Sequence, residues 1–256
     1  MLFELHLKML GKIDLNCDMG EGYTTDALIM PLISSANIAC GYHAGGGELM
    51  RQTIRLALQH QVSIGAHPSF DDKLGFGRRE MHLSSDEIHG IIHDQLNIIR
   101  KAAAEEGAVL HHVKPHGALY NMAAKDAMVA DAISRAIKAI DDSLILYGLP
   151  NSASETSASQ HGLGFYREVF SDRTYTDEGM LTPRGNTNAM IKTAEQGVAQ
   201  VLQIILQETL HSTTGQEIPI KADTICIHGD GEHAIEFAQE INRALHQNKI
   251  TISAIK

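Results

Sequence analysis

The stretch Lys12-Ile-Asp-Leu-Asn-Cys-Asp-Met-Gly-Glu21 decides how this chain is read. It is apolar enough for a buried strand, yet Asp14, Asn16 and Asp18 occupy alternate positions and Glu21 follows at its end. Alternate residues of a strand point to one side, so three polar groups stack along one face. Buried carboxylates are expensive unless paired, which makes this face a candidate site rather than a set of turn caps. Four further apolar runs end in a histidine followed by a small or turn-forming residue: Asn37–His43, Val62–His67, Leu110–His116 and Thr224–His228. As parallel strands, all five runs would present their polar ends on the face where α/β folds carry out chemistry.

Strand-like segments fall at 12–17, 36–41, 62–66, 110–114, 144–148, 164–170 and 223–227, with 250–255 as a further one. Several are continuously apolar, as expected of strands covered on both faces. Helical patterns lie between them, at 45–60, 118–140, 187–210 and 231–247, with a weaker one at 151–161. Ser84-Ser-Asp-Glu87 is a capping box opening an apolar stripe of Ile88, Ile91, Ile92, Leu96, Ile99 and Ala103 that stops at Gly107. Repeated strand–helix units predict an α/β fold with a parallel sheet and right-handed crossovers. Seven or eight such units favour a (β/α) barrel, distorted or incomplete, over an open sheet. Residues 12–256 are expected to form one domain. Residues 1–11 are expected to form an N-terminal extension, too short and too interrupted by Glu4, His6 and Lys8 for a signal peptide or membrane span.

The net charge of −10 and the lack of basic clusters beyond Arg78-Arg79 and Arg100-Lys101 speak against nucleic acid and against an anionic membrane. Cys17, Cys40 and Cys226 form no C-x-x-C pair and sit in apolar runs, as buried thiols suited to a reducing cytoplasm. There is no P-loop and no Gly-x-Ser-x-Gly elbow. Gly45-Gly-Gly47 ahead of a helix is weak evidence for an anion site.

The chemistry-bearing residues divide by type. Asp14, Asp18, Glu21, His43, Lys114 and His116 form the candidate catalytic set, with Asn16 beside them. Lys114 two residues before His116 couples a cation to a proton-transfer group, so His116 ranks first among the histidines. His67, followed by Pro68, reads most simply as a shaped turn. Two long connections, 67–83 and 171–187, carry Arg78, Arg79, Asp172, Arg173 and Arg184. Arginine forks suit carboxylate or phosphate, and long loops after strands are commonly functional. Asn16, His67, Glu168, His228 and Asp230 complete the candidate binding set.

These segments carry a family resemblance. Asp14-Leu-Asn-Cys-Asp-Met-Gly-Glu21, Asn37–Gly45, Gly65-Ala-His-Pro-Ser69, Gly75-Phe-Gly-Arg-Arg79, His112–Asn121, Glu168–Arg173 and Ile227-His-Gly-Asp230 resemble, in collinear order over about residues 12–252, the LamB/YcsF family of A subunits of prokaryotic 5-oxoprolinase. The resemblance implies a distorted barrel similar to the glycoside hydrolase/deacetylase superfamily. It implies hydrolytic opening of 5-oxo-L-proline to L-glutamate, with ATP and Mg2+ as co-substrate, no tightly bound metal, and work alongside B and C subunits; it leaves self-association open. Gly46-Gly47 replaces the family's Asp-Pro, which removes an N-cap carboxylate, and Met1–Leu10 is an unusual addition.

In that scheme Lys114 and one or two arginines would meet phosphates, another arginine the substrate carboxylate, and Asp18, Glu21 or a strand-end histidine would act as base for water. Two other readings stay open. One is a metal-dependent deacetylase or amidohydrolase, with Asp14 or Asp18 and His43, His67 or His116 holding the ion (Asp14, His43 and His116 as the leading trio). The other is a non-catalytic, substrate-binding role within the same complex.

Overall fold

The computed structural model describes residues 11–231 and 233–254. The expected extension at Met1–Leu10 therefore lies outside the described residues, as does the end of the expected 250–255 strand. The strands are β1 (Lys12–Met19), β2 (Ser35–Ala39), β3 (Ser63–His67), β4 (His112–Val113), β5 (Ile145–Gly148), β6 (Gly164–Phe170), β7 (Thr209–His211), β8 (Glu217–Pro219), β9 (Thr224–Ile227) and β10 (Thr251–Ile252). β1 to β6 pair in parallel in sequence order, and β9 pairs with both β6 and β1, closing a seven-stranded parallel barrel. β10 pairs with the start of β1 at Lys12 and Ile13. The distorted (β/α) barrel expected from the sequence is thus the observed fold.

The helices are α1 (Asp26–Ile29), α2 (Gly47–Gln59), α3 (Ser85–Glu105), α4 (Gly117–Lys125), α5 (Ala127–Ile140), α6 (Ala153–His161), α7 (Ala194–Gln207) and α8 (Ala234–Gln247). The capping box forms as expected: Ser84 accepts from the Glu87 amide while Glu87 accepts from that of Ser84. Its stripe buries Ile88, Ile92, Leu96, Ile99 and Ala103. Among the described residues, no helix is long and apolar enough to cross a membrane.

Two expected helices come out differently. The 118–140 pattern splits, because the Asp126 side chain accepts from the Met128 and Val129 amides and so caps α5 while α4 ends. The 187–210 pattern yields helix only from Ala194; Glu208 then turns left-handed (φ 54°) and the chain leaves in the antiparallel β7–β8 hairpin.

The barrel interior is polar, where an ordinary barrel of this kind is filled by branched aliphatics. Leu15, Cys17 and Met19 join the apolar core, while Asp14, Asn16 and Asp18 point inward. At the lower end Asp14 accepts from Ser34 (2.6 Å), Ser35 (2.7 Å), Thr224 (2.6 Å) and Tyr147 (3.0 Å). Above it Asn37 donates to Asn16 over 2.7 Å, and His112 donates from Nε2 to the Asn37 carbonyl over 2.8 Å. The His112 ring fits because Gly65 faces it: a Cβ there would stand 2.1 Å from the imidazole. Buried polar groups are tolerated because each finds partners in this stack.

Candidate active site

The upper end of the stack holds four charged or ionisable groups from four strands. Lys114, following β4, donates from Nζ to Asp18 Oδ1 over 2.8 Å and lies 3.0 Å from Glu168 Oε1 and 2.9 Å from Cys226 Sγ. The Phe170 ring closes over the ammonium at 5.2 Å. Burial works against the Lys114 charge, but Asp18, then Cys226 and Glu168, overcome it and raise its pKa well above the usual lysine value. Asp18 is likewise held well below the usual carboxylate range: burial opposes ionisation, and His67 and Lys114 outweigh it. Asn37 donates a further hydrogen bond to Asp18 over 2.9 Å.

Beside this pair sits a cluster of imidazoles. His67 is the last residue of β3, His116 caps α4, and His43 projects from the β2–α2 loop, which a bridge between Cys40 and Gly45 pins. His116 Nδ1 lies 2.9 Å from His67 Nε2, and the His43 and His116 rings stack at 3.9 Å. Glu21 reaches in with Oε1 at 3.1 Å from His43 Nε2. Phe76 packs edge-on against both His43 and His116. Gly77 allows the approach, since a Cβ there would lie 2.9 Å from His116 and 3.0 Å from His43. Burial drives the His43 pKa down to about 3, and burial followed by His67 puts His116 well below its ordinary value. The Glu21 carboxyl is pushed well up by burial and then by Asp18.

Two loops roof the mouth. Arg78 pairs with Asp230 at 2.6 Å, joining the 68–84 connection to the β9–α8 turn. His228 donates from Nδ1 to Asp172 over 2.8 Å and accepts from Arg184 on Nε2 over 3.3 Å. Against its burial, His228 keeps Asp172 low. Arg173 is buried, donates to the carbonyls of Thr182 and Ala189, and is lowered to about 10 by burial and then by Arg184. A cleft of about 250 Å³ is lined by Arg78, Lys125, Arg173 and Arg184. It adjoins an inner recess lined by Asp18, His67, Lys114, His116 and His228. The arrangement couples a cleft lined by cationic side chains to a buried centre of ionisable groups.

The LamB/YcsF family profile matches residues 13–256. This chain belongs to the LamB/YcsF family. It is 47% identical over 251 residues to the 5-oxoprolinase A subunit of Tolumonas auensis, covering 96% of this chain and 100% of that one. The lactam utilization protein from Thermus thermophilus superposes with a TM-score of 0.90 at 40% identity, over 96% of this chain and 100% of that chain. A family 4 carbohydrate esterase from Streptomyces lividans aligns over 96% and 93% of the two chains with a TM-score of 0.51 at 13% identity, a likeness of fold alone.

Within this LamB/YcsF barrel most expected residues converge. Asp18, Glu21, His43, Lys114, His116 and Glu168 meet at the centre, and Arg78, Asp172, Arg173, Arg184, His228 and Asp230 meet at the mouth. Asn16 lies one layer below. Two expected residues stand elsewhere. Asp14 is four residues before Asp18, roughly 13 Å down the strand, where its hydroxyl partners make it structural. Arg79 is 65% exposed and donates to Asp72, fastening its own loop. His67 is not merely a shaped turn; its ring stands between His116 and Asp18. Cys226, read as a small core hydrophobe, is buried against the Lys114 ammonium. The sequence does not single out Tyr120, whose buried hydroxyl makes no well-formed hydrogen bond at the site. Nothing in a helical Ala-Leu-Tyr run distinguishes it from a packing aromatic.

Proposed function

We propose that this chain is the A subunit of an ATP-dependent 5-oxoprolinase, opening 5-oxo-L-proline to L-glutamate in a complex with B and C subunits. The observation that carries the reading is the arginine-lined vestibule opening onto the Asp18–Lys114 centre. Amide resonance protects a lactam carbonyl. Phosphoryl transfer from ATP to the lactam oxygen releases ADP and makes the ring carbon electrophilic. Water adds to that carbon, the C–N bond breaks as the nitrogen takes up a proton, and the phosphoryl group leaves as inorganic phosphate. Arg184 and Lys125 suit the nucleotide phosphates, with Mg2+ accompanying them, and buried Arg173 suits the substrate carboxylate. Lys114 is placed to balance charge developing on the lactam oxygen. Glu21, raised by burial, and the neutral imidazoles form the proton-accepting pool for water. The free, buried thiols support a cytoplasmic setting.

The test is 5-oxoproline-dependent ADP release by the chain with and without its partner subunits. Turnover should appear in the complex and collapse in Asp18→Asn and His116→Ala. Near-normal turnover in both variants would overturn the site. The Glu21–His43–His67–His116 cluster favours one second reading, a metal-dependent hydrolase, and hydrolysis without nucleotide that a chelator abolishes would select it.

A further inference from the structure

We propose that Glu21, His43, His67 and His116 form a binding site for one divalent transition-metal ion, Zn2+-like in its preferences, at the inner edge of the vestibule. Backbone carbonyls fix where two of the imidazole protons lie. His67 Nδ1 lies 2.7 Å from the Lys114 carbonyl oxygen. His116 Nε2 lies 2.9 Å from the carbonyl oxygen of Phe76. A carbonyl only accepts, so each of these ring nitrogens carries its proton. In the neutral imidazoles the remaining nitrogens, His67 Nε2 and His116 Nδ1, are both lone pairs, and they face one another at 2.9 Å. Two facing lone pairs repel unless a positive species joins them.

The surroundings favour a metal ion over a bridging proton. Glu21 Oε1 lies 3.1 Å from His43 Nε2, 3.6 Å from His116 Nδ1 and 3.9 Å from His67 Nε2. One donor atom from each of the four residues falls within 4.8 Å of the others. Bonds of 2.0–2.1 Å in a tetrahedron set ligand atoms about 3.3 Å apart, so side-chain rotations bring the four donors into a shell. Backbone carbonyls holding the far ring nitrogen are the outer partners that metal-bound histidines commonly have. The Phe76 edge contacts hold the rings in place, and the nearly parallel His43 and His116 rings tilt apart for both in-plane lone pairs to reach one ion. A shared proton would draw on Asp18 Oδ2, 3.3 Å from His67 Nε2, since Lys114 and Asn37 both hold the other oxygen, Oδ1; it would not account for Glu21 and His43 converging on the same point.

Three imidazoles and one carboxylate suit zinc and its neighbours rather than Mg2+, so this site is distinct from a nucleotide's magnesium. The other cluster of potential ligands, Asp18, Cys226 and His228, is disqualified because the Lys114 ammonium already stands against Asp18 and Cys226. The sequence pointed to no tight metal, with Asp14, His43 and His116 as the trio should one bind; the geometry replaces Asp14 with Glu21 and adds His67. When bound, such an ion polarises a carbonyl and acidifies a coordinated water.

The test of this inference needs neither nucleotide nor substrate, so its failure is distinguishable from failure of the ATP-dependent reading, in which the same Glu21 and imidazoles accept protons in the absence of an ion. The full-length chain is stripped with chelator, dialysed against Zn2+ or Co2+, and assayed for metal content and for the visible absorption of bound Co2+. One ion per chain is expected, with tetrahedral Co2+ bands. His67→Ala and Glu21→Gln, each checked for native circular dichroism, should weaken binding at least about tenfold. The Asp14→Asn variant should bind as the parent does. Wild-type protein that shows no saturable binding overturns the proposal. So does binding that survives both ligand substitutions, and so does a 15N imidazole spectrum showing a proton held between His67 and His116 with metal present.

Discussion

Lys114 and Asp18 form an ion pair of 2.8 Å across the inside of the barrel, joining strands β4 and β1 that are not neighbours in the sheet. Both side chains are almost wholly buried, at 2% and 5% exposure. Replacing Lys114 with Met leaves the carboxylates of Asp18 and Glu168 facing each other without a cation. We expect Lys114→Met to lose about 3–5 kcal/mol in urea unfolding. Adding Glu168→Gln should recover part of that loss. A single-variant loss below about 1 kcal/mol would contradict the pairing.

Asp14 and Asp18 share a strand and a face, yet only Asp18 is at the site. Asp14→Asn should cost about 1–3 kcal/mol of stability by unbalancing its hydroxyl partners, with turnover per folded molecule retained. Asp18→Asn should lower turnover of the reconstituted complex at least about 100-fold. Paired denaturation and kinetic measurements decide this; equal catalytic losses in the two variants would refute the division.

The Gly65 position is filled by the His112 ring, and an added Cβ would lie 2.1 Å from it. Gly65→Ala should destabilise the barrel by about 1–3 kcal/mol or more through overpacking. Calorimetry should show a Tm lower by roughly 2–4 °C for each kcal/mol lost.

The loop carrying Phe76, Gly77 and Arg78 is fastened through Asp72, which accepts from the Arg79 guanidinium and from the Gly75 amide. The Arg79 hydrogen bond, aided by the Gly75 amide, holds the Asp72 pKa at about 2, against about 3.9 for a free aspartate. Because the folded value is the lower one, this contribution is fully present above about pH 4 and is lost as the pH falls toward 2. The urea midpoint of the parent should therefore fall through that window more steeply than that of Asp72→Asn. Identical slopes would show that the contact does not form.

Much of this architecture can be read locally. Period-two alternation in β1, continuous apolar runs in the other barrel strands and the Ser84–Glu87 cap each depend on residues close in sequence. Polar strand ends gather on one face because parallel strands share a direction, so Asp18, His43, Lys114, His116 and His228 could be grouped without coordinates. Local pattern misleads where a side chain competes with the helix, as at Asp126, or where a partner far along the chain decides a residue's role. Arg78 and Arg79 are adjacent and alike in type, but one meets Asp230, 152 positions away, and the other meets Asp72 in its own loop.

By itself, then, the sequence determined the barrel class, the face that carries chemistry and the types of group collected there, because all three follow from short-range periodicity and strand direction. Only the tertiary structure decided depth and partnership. It placed Asp14 at the bottom of the stack and Asp18 at the top, drew Cys226 to Lys114, and turned the free nitrogens of His67 and His116 toward each other. Those outcomes depend on register between strands and on which backbone carbonyl each ring meets, and such contacts are made across the barrel rather than along the chain.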